Sequence, residues 1–299
     1  MRFLISELAA QLDGRVIGGA ENQSLANTPA VESVELEVNG LAIDSRLVIP
    51  QQLFAAISAE RDGHAYLPAA FAAGASAVLI EDARSYEALT RDESLTGNSG
   101  VAGPGILVAD VSAALMQIAK IARRRIPDRV IGITGSVGKT TTKDLLAAVL
   151  AQRFVTVASE KSFNNELGVP LTLANAGEAT EAAVVEMGAR GSGHIALLCD
   201  LAQPTVGIVT TVERVHTQVM GNIEQIAQAK GELIAALPAN GLAVLNAEVP
   251  LVAAMAERSE ARVLCFGVGG DVQALHVQID DELRPSFELH TPWGQIEVR

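Results

Sequence analysis

The sequence predicts an α/β protein with two domains. We expect a small α/β domain over residues 1–108 and, over residues 109–299, a mostly parallel sheet with helices on both faces. Apolar runs alternate with amphipathic segments along all 299 residues, which is typical of strand–helix units. The apolar runs of the second part are near-continuous, as in strands that are covered on both sides. Finally, a glycine-rich turn joins one such run to a helix.

The first domain is predicted from short elements in chain order. They are a helix at 5–12, strands at 41–46, 53–57 and 77–80, a helix at 66–73 and a last strand at 106–109. Gly74 ends the second of these helices, and residues 91–105 form a loop rich in Gly, Ser, Asn and Pro. After the last strand, Ser112 is predicted to cap a helix that reaches about Arg125.

The second domain begins with a buried strand that leads into the glycine-rich turn. The further predicted strands lie at 154–157, 182–186, 206–212, 241–245 and 262–266. The predicted helices lie at 141–152, 191–199, 222–237 and 251–258. The tail, residues 274–299, alternates between apolar and polar residues, which indicates antiparallel strands at an edge.

The glycine-rich turn has the chemistry of a phosphate-binding loop. It reads Thr134, Gly135, Ser136, Val137, Gly138, Lys139, Thr140 and Thr141. Backbone N–H groups and the helix N-terminus attract an anion, the Lys139 ammonium reaches terminal phosphates, and the Thr140 hydroxyl is a Mg²⁺ ligand. The commoner pattern has glycine where Ile133 stands. The alternative, an incidental lysine in a glycine-rich turn, fits less well because strand, glycines, Lys and Thr are all in register. The loop therefore predicts ATP binding by a sheet of the phosphate-loop type.

Composition excludes several classes of partner. The net charge is −13 and aromatic residues make up 3% of the chain, so nucleic acid and anionic membranes are poor partners. Cys199 and Cys265 lie in apolar or strand-like surroundings, which favour buried free thiols over a disulfide, and they have no metal-ligand spacing. The N-terminus lacks the pattern of a signal peptide, and the longest near-apolar run, 67–80, is too short to span a bilayer. We expect a cytoplasmic monomer.

Two further residues are expected at strand ends beside the loop. Glu186 ends one apolar run and His216 follows another, and we expect these two strand ends to be neighbours. Ligands of open α/β sheets bind beyond such ends. Each residue alone fits a helix cap or a solvated side chain, but together they favour a metal beside a nucleotide. Lys230 reads as an ordinary surface lysine on an amphipathic helix.

The remaining polar segments allow two interpretations. Asn164 and Asn165 fit a cap or a turn. The segments 44–46 and 62–64 are turns, or they hold an anionic or sugar group.

Three segments together resemble the Mur ligases of peptidoglycan synthesis. These segments are residues 134–141, 162–172 and 186–189, and the segments 229–232, 44–46 and 62–64 fit the same family. The resemblance implies a ligase that joins a carboxylate to an amine with ATP, through an acyl phosphate. The implied substrates are UDP-N-acetylmuramoyl-tripeptide and D-alanyl-D-alanine.

The resemblance also implies roles for single residues. Lys139, Glu186, His216 and Lys230 would be catalytic, and Mg²⁺ would be held by Thr140, Glu186, His216 and a carbamylated Lys230. The substrates would be bound by Ser45, Arg46, Asp62, His64, Asn164 and Asn165.

Two features depart from the family pattern. The segment that ends in the metal histidine usually reads Asn-Val-Gly-x-x-His. Here residues 211–216 read Thr-Val-Glu-Arg-Val-His, so the histidine is present but its neighbours differ. The family continues past the position of Arg299 into a Gly-x-His-Asn segment and a third domain, so we expect a fragment whose central domain is incomplete. The alternatives are a related Mur-type amino acid ligase, or a truncated module that binds nucleotide and UDP-sugar without turnover.

Overall fold

The fold was determined as a computed structural model. It describes residues 1–18, 36–91, 103–127, 129–214 and 221–299. The chain separates into two compact units, one of residues 1–125 with 173–178 and one of residues 126–172 with 179–299. The mixed sheet of the first unit and the parallel sheet of the second confirm the predicted fold class.

The first unit is built on a five-stranded sheet with the order β2-β7-β6-β5-β4, beside a two-stranded pair of β1 and β3. The strands are β1 (Arg2–Leu4), β2 (Arg15–Ile17), β3 (Glu37–Asn39), β4 (Leu41–Ala42), β5 (Leu53–Ala55), β6 (Ala77–Ile80) and β7 (Gly105–Leu107). The helices are α1 (Ile5–Gln11), α2 (Leu67–Ala72), α3 (Ala83–Arg91) and α4 (Val111–Arg123), with a 3₁₀ turn at Gly63–Tyr66. Phe54, Val78 and Ile80 lie in its core.

The second unit is built on a six-stranded parallel sheet with the order β13-β12-β11-β8-β10-β9. The strands are β8 (Val130–Thr134), β9 (Thr156–Ala158), β10 (Ala182–Glu186), β11 (Val206–Val209), β12 (Leu242–Asn246) and β13 (Arg262–Phe266). The helices are α5 (Lys139–Leu150), α6 (Gly168–Ala174), α7 (His194–Ala202), α8 (Ile223–Ala235) and α9 (Pro250–Ala253), which continues as a 3₁₀ turn, Ala254–Arg258.

The strand order of this parallel sheet places a crevice at β8. From β8 the chain runs to β9 at one edge and returns through β10, and it then crosses to β11, β12 and β13 on the other side of β8. The order therefore reverses at β8, and such a switch point opens a ligand crevice at the carboxyl ends of the strands. The loop that follows Thr134 lies at this point.

The tail forms a separate antiparallel sheet rather than an edge of the central one. Its strands are β14 (Gln273–Ile279), β15 (Pro285–Thr291) and β16 (Gly294–Val298), in that order. The antiparallel prediction is confirmed, but the predicted placement was wrong because β13 remains the outer strand of the parallel sheet. In the described ranges, no helix is long and apolar enough to cross a membrane.

The cap of α4 also differs from the prediction. Asp110, not Ser112, precedes the helix, and its side chain accepts a hydrogen bond from the Ala113 N–H at 3.0 Å. Asp and Ser are both good N-caps, so residue type alone does not distinguish Ser112 from Asp110, which stands two positions earlier. Most of the predicted loop 91–105 lies outside the described residues.

Candidate functional site

The turn between β8 and α5 has the backbone of an anion-binding loop. Gly135 has φ 153° and Gly138 has φ 86°, conformations that favour glycine. A Cβ at Gly135 would collide with the Thr210 hydroxyl. Because the first N–H groups of a helix have no partner within it, the start of α5 at Lys139 presents donors toward the crevice.

Lys139 lies folded over this loop. Its Nζ donates to the Gly135 carbonyl at 2.9 Å and to the Ser136 carbonyl at 3.3 Å. These uncharged acceptors hold the ammonium at the mouth of the loop. An incoming phosphate is a stronger, charged acceptor for the same ammonium.

Glu186 lies beside the loop with its side chain held on both oxygens. Glu186 is 1% exposed. It is the last residue of β10 and pairs in register with Ile133 of β8. Oε2 accepts a hydrogen bond from the Thr140 hydroxyl at 2.9 Å, and Oε1 accepts one from Asn164 Nδ2 at 2.9 Å. The structure thus brings together three of the predicted site residues.

This arrangement fits a divalent cation. Glu186 is a buried carboxylate whose two side-chain hydrogen bonds come from uncharged groups. A carboxylate and a threonine hydroxyl are the oxygen donors that Mg²⁺ uses next to nucleotide phosphates. Among the described residues there is no group of three His, Cys, Asp or Glu side chains placed to hold a metal, so these residues leave coordination positions to phosphate or water.

Lys230 is buried rather than exposed, contrary to the surface interpretation. It is 4% exposed on α8. Burial, and secondly the charge of Lys139, lower the pKa of Lys230 from 10.5 to about 8. About a tenth of this amine is therefore uncharged at pH 7, whereas an exposed lysine is almost fully protonated.

A cavity of about 150 Å³ is lined by residues of the loop and by Lys230. Six of its lining residues were predicted as site residues: Gly135, Ser136, Lys139, Asn164, Asn165 and Lys230. Whole small-molecule ligands occupy pockets of roughly 300–1,000 Å³. The cavity therefore fits the phosphate end of a nucleotide rather than all of it.

Asn165 has a clear structural role in addition to lining the cavity. Its Oδ1 accepts hydrogen bonds from the N–H groups of Leu167 at 3.2 Å and Gly168 at 2.9 Å. It therefore caps the start of α6, as the simpler of the two sequence interpretations has it.

Sequence reasoning missed a hydrogen-bonded ring of Glu166, Arg190 and His194, of which Arg190 and His194 line the cavity. Glu166 accepts hydrogen bonds from Arg190 Nη1 at 3.2 Å and His194 Nε2 at 3.0 Å. His194 Nδ1 accepts from the Arg190 N–H at 3.2 Å, so its Nε2 carries the proton. Partial burial disfavours the charged Glu166, but its backbone hydrogen bond, His194 and Arg190 outweigh that and lower its pKa.

The only sequence signal for this ring was that Glu166 stands inside one of the family-like segments. Its partners lie more than twenty residues away in the chain. A second missed residue, Glu232, accepts hydrogen bonds from the N–H groups of Gly193 at 2.6 Å and Ala196 at 3.0 Å. It thereby ties α8, which carries Lys230, to the start of α7.

The predicted substrate residues of the first unit form two local turns. Arg46 is exposed and paired with Asp44 at 2.6 Å, and hydrogen bonds from Arg46 lower the pKa of Asp44 to about 2. Ser45, between them, is buried. The ion pair leaves the Arg46 guanidinium at the surface.

His64 is buried and satisfied on both ring nitrogens. Nδ1 lies 2.6 Å from Asp62 Oδ1, and Nε2 accepts the N–H groups of Glu81 and Asp82 at 3.2 and 3.3 Å. Since Nε2 accepts, the proton is on Nδ1. His64 therefore supports the turn, and Asp62, whose side chain is 63% exposed, is the member of the pair that faces solvent.

One spatial expectation at the strand ends was wrong. Glu186 ends β10 and His216 was expected beyond β11, but β8 lies between these two strands. The two strands therefore flank the loop strand instead of neighbouring each other. His216 itself lies outside the described residues, and its role remains a prediction.

A family model and the sequences of known proteins both match this chain, and they indicate the same family. The model of the Mur ligase middle domain matches residues 133–299, more than half of the chain. The UDP-N-acetylmuramoyl-tripeptide–D-alanyl-D-alanine ligase of Mycobacterium tuberculosis is 39% identical over 98% of this chain and 59% of its own length. The ligase of the same name from Escherichia coli K12 is 29% identical over 90% of this chain and 57% of its own.

Solved structures of MurF proteins are also similar to this chain. MurF from Acinetobacter baumannii superposes with a TM-score of 0.78 at 26% identity, covering 100% of this chain and 60% of that one. MurF ligase from Thermotoga maritima, solved in complex with ADP, has a TM-score of 0.70 at 28% identity, covering 87% and 58%. The chain thus spans about three-fifths of the length of these relatives. Because the family model matches more than half of the chain, the chain belongs to the Mur ligase family, as the sequence resemblance implied.

Proposed function

We propose that the chain carries the ATP site and the UDP-sugar site of an ADP-forming carboxylate–amine ligase. The reaction joins D-alanyl-D-alanine to UDP-N-acetylmuramoyl-tripeptide in the cytoplasm, and the protein acts as a monomer. The carrying observation is that Lys139 and Lys230 line one cavity at the switch point, with Glu186 hydrogen-bonded to Thr140 beside it. Residues 109–299 would bind ATP, and residues 1–108 would bind the UDP-sugar through Ser45, Arg46, Asp62 and His64.

The chain's own groups favour attack on the γ-phosphorus. The N–H groups at the start of α5 and the Lys139 ammonium hold the β- and γ-phosphates. The substrate carboxylate attacks the γ-phosphorus, ADP leaves, and an acyl phosphate forms. The amine of the acceptor then attacks the acyl carbon and expels phosphate. Asn164 and Asn165, on the wall of the same cavity, would orient the substrate.

Thr140, Glu186, His216 and Lys230 would hold Mg²⁺. When bound, Mg²⁺ neutralises the charge that builds on the transferred phosphoryl group. Glu186 is preorganised for this task because Thr140 and Asn164 fix both of its oxygens.

The lowered pKa of Lys230 supports its carbamylation. Only the neutral amine attacks CO₂, to give a carbamate and release one proton. With a pKa of about 8, the reactive form grows as pH rises through 8 and is scarce below 7. We expect a ¹³C carbamate signal at fixed dissolved ¹³CO₂ that increases between pH 7 and pH 9. Lys230→Met should lose the Lys230 signal and keep only that of the Met1 α-amino group, whose pKa is lowered chiefly by burial. Lys161→Met, a change at an exposed lysine, should keep both signals. A signal in Lys230→Met equal to that of the parent chain would contradict the assignment.

The function is tested by trapping the acyl phosphate. The chain is incubated with ATP, Mg²⁺, UDP-N-acetylmuramoyl-tripeptide and hydroxylamine, which replaces the acceptor amine. We expect a hydroxamate of the UDP-sugar peptide that depends on ATP, detected by mass spectrometry.

The second candidate is a module that binds nucleotide and UDP-sugar without turnover. Stabilisation by both ligands with no hydroxamate would support that candidate against the ligase.

A further inference from the structure

Three buried polar residues form a cluster to which the proposed function assigns no role. Its members Lys143, Ser159 and Thr172 are 3%, 2% and 6% exposed, and Ser159 accepts a hydrogen bond from the Glu186 N–H. Burying an ammonium is costly unless it is hydrogen-bonded. A lysine kept at such a position must therefore make specific bonds there.

Lys143 connects the loop helix to the end of β9. It lies one turn after Lys139 on α5, and its Nζ donates to the Ser159 carbonyl at 2.7 Å. The same Nζ lies 2.8 Å from Asp144 Oδ1, at the edge of the cluster where the Asp144 side chain is 65% exposed. The ammonium thus has one buried acceptor and one charged partner near solvent.

Ser159 interrupts the β9–β10 ladder where Glu186 stands. Ala158 pairs with Val184 in parallel register, and the Ser159 N–H donates to the Val184 carbonyl at 3.0 Å. In a regular parallel ladder the next bond would run from the Glu186 N–H to the Ser159 carbonyl. Here the Ser159 hydroxyl accepts the Glu186 N–H at 3.1 Å instead, because the carbonyl is turned to Lys143.

A third element fixes the Ser159 hydroxyl. Thr172 Oγ1 on α6 lies 3.3 Å from Ser159 Oγ and donates to the Gly168 carbonyl at 2.9 Å. The backbone of Glu186 is therefore tied by side chains to both α5 and α6. Its carboxylate in turn meets Thr140, on the same helix as Lys143.

We infer that Lys143 and Ser159 are positioning residues that set Glu186 against Thr140 and so tune the affinity for Mg²⁺ beside bound nucleotide. The inference rests on the proposed function, in which Glu186 and Thr140 hold Mg²⁺. Neither residue touches the reacting atoms. Supporting groups of this kind typically alter metal affinity when they are removed.

The test is the Mg²⁺ dependence of ADP binding, measured by calorimetry on the whole chain. Lys143→Met removes the donor with little change in length, and Ser159→Ala is a milder change that removes only the hydroxyl. We expect the half-saturating Mg²⁺ concentration to rise about tenfold in each, with ADP binding in the absence of Mg²⁺ unchanged. Lys161→Met, at an exposed lysine on the same segment, is the control and should match the parent chain.

Amide hydrogen exchange gives a second readout that does not depend on ligand. The Glu186 N–H should exchange faster in Ser159→Ala, since its acceptor is gone, and also in Lys143→Met. If Lys143→Met does not fold, the Mg²⁺ dependence and the exchange rate of Ser159→Ala alone decide whether the positioning role holds.

Glu186→Gln separates the inference from the proposed function. A parent-like Mg²⁺ dependence in Lys143→Met and Ser159→Ala, with a changed dependence in Glu186→Gln, overturns the positioning role alone. An unchanged dependence in Glu186→Gln overturns the metal assignment and the inference with it.

Discussion

Replacing Lys139 with methionine is expected to weaken ADP binding by about 100-fold or more, which is ~3 kcal/mol. In the ligand-free chain its ammonium bonds to the Gly135 and Ser136 carbonyls, and on binding it would turn to the phosphates. The loss is large because Lys139 is the cation at the start of α5 and no loop N–H group carries a full charge. Calorimetric titration with ADP and Mg²⁺ measures the effect.

The variant should otherwise remain folded. The loop keeps its shape through Gly135 and Gly138, whose positive φ angles do not depend on the lysine. A melting temperature close to that of the parent chain is the check, and Lys161→Met is the charge-matched control. Parent-like ADP affinity in a folded Lys139→Met chain would refute the phosphate-loop assignment.

The second large effect is expected for Glu186→Gln. This change removes the buried negative charge and keeps the side-chain shape, so Thr140 and Asn164 retain a partner. Hydroxamate formation should fall by about 10²–10³-fold, the usual loss when one group that stabilises transition-state charge is removed. ADP binding without Mg²⁺ should stay equal or become slightly tighter, since a like charge beside the phosphates is gone.

A fall in hydroxamate formation without a fall in Mg²⁺-free ADP binding distinguishes a metal ligand from a residue that supports the loop. Loss of binding in both the presence and absence of Mg²⁺ would mean that Glu186 supports the loop structurally. Unchanged hydroxamate formation in Glu186→Gln would show that the Glu186 carboxylate takes no part in the reaction. The matched control is Glu232→Gln, because Glu232 is a carboxylate that caps α7 rather than facing Thr140.

The parallel sheet and its loop were predictable because local signals agreed. Near-continuous apolar runs marked strands such as Ala182–Glu186, which the structure reproduces to the residue. Glycines followed by Lys139 and Thr140 defined the loop, since positive φ and phosphate chemistry impose residue types directly. Three-residue strands such as β1 and β2 gave no such signal, because their pairing is with distant segments.

The chemistry behind the loop was less visible in the sequence. Lys230 looked like a solvated residue on an amphipathic helix, but α8 turns it inward beside Lys139. Lys143 stands sixteen positions from the carbonyl that it holds, and Glu166 is more than twenty from its partners. Such contacts are set by how helices pack on the sheet, which residue spacing alone does not specify.

If the cavity beside Lys139 holds the phosphate end of a nucleotide together with Mg²⁺, the unmodified chain should bind ADP in a Mg²⁺-dependent way. Calorimetric titration with ADP, with and without Mg²⁺, measures this. We expect one binding event per chain, and we expect Mg²⁺ to strengthen it. Absence of binding, or an ADP affinity that Mg²⁺ does not change, would refute the assignment of this cavity.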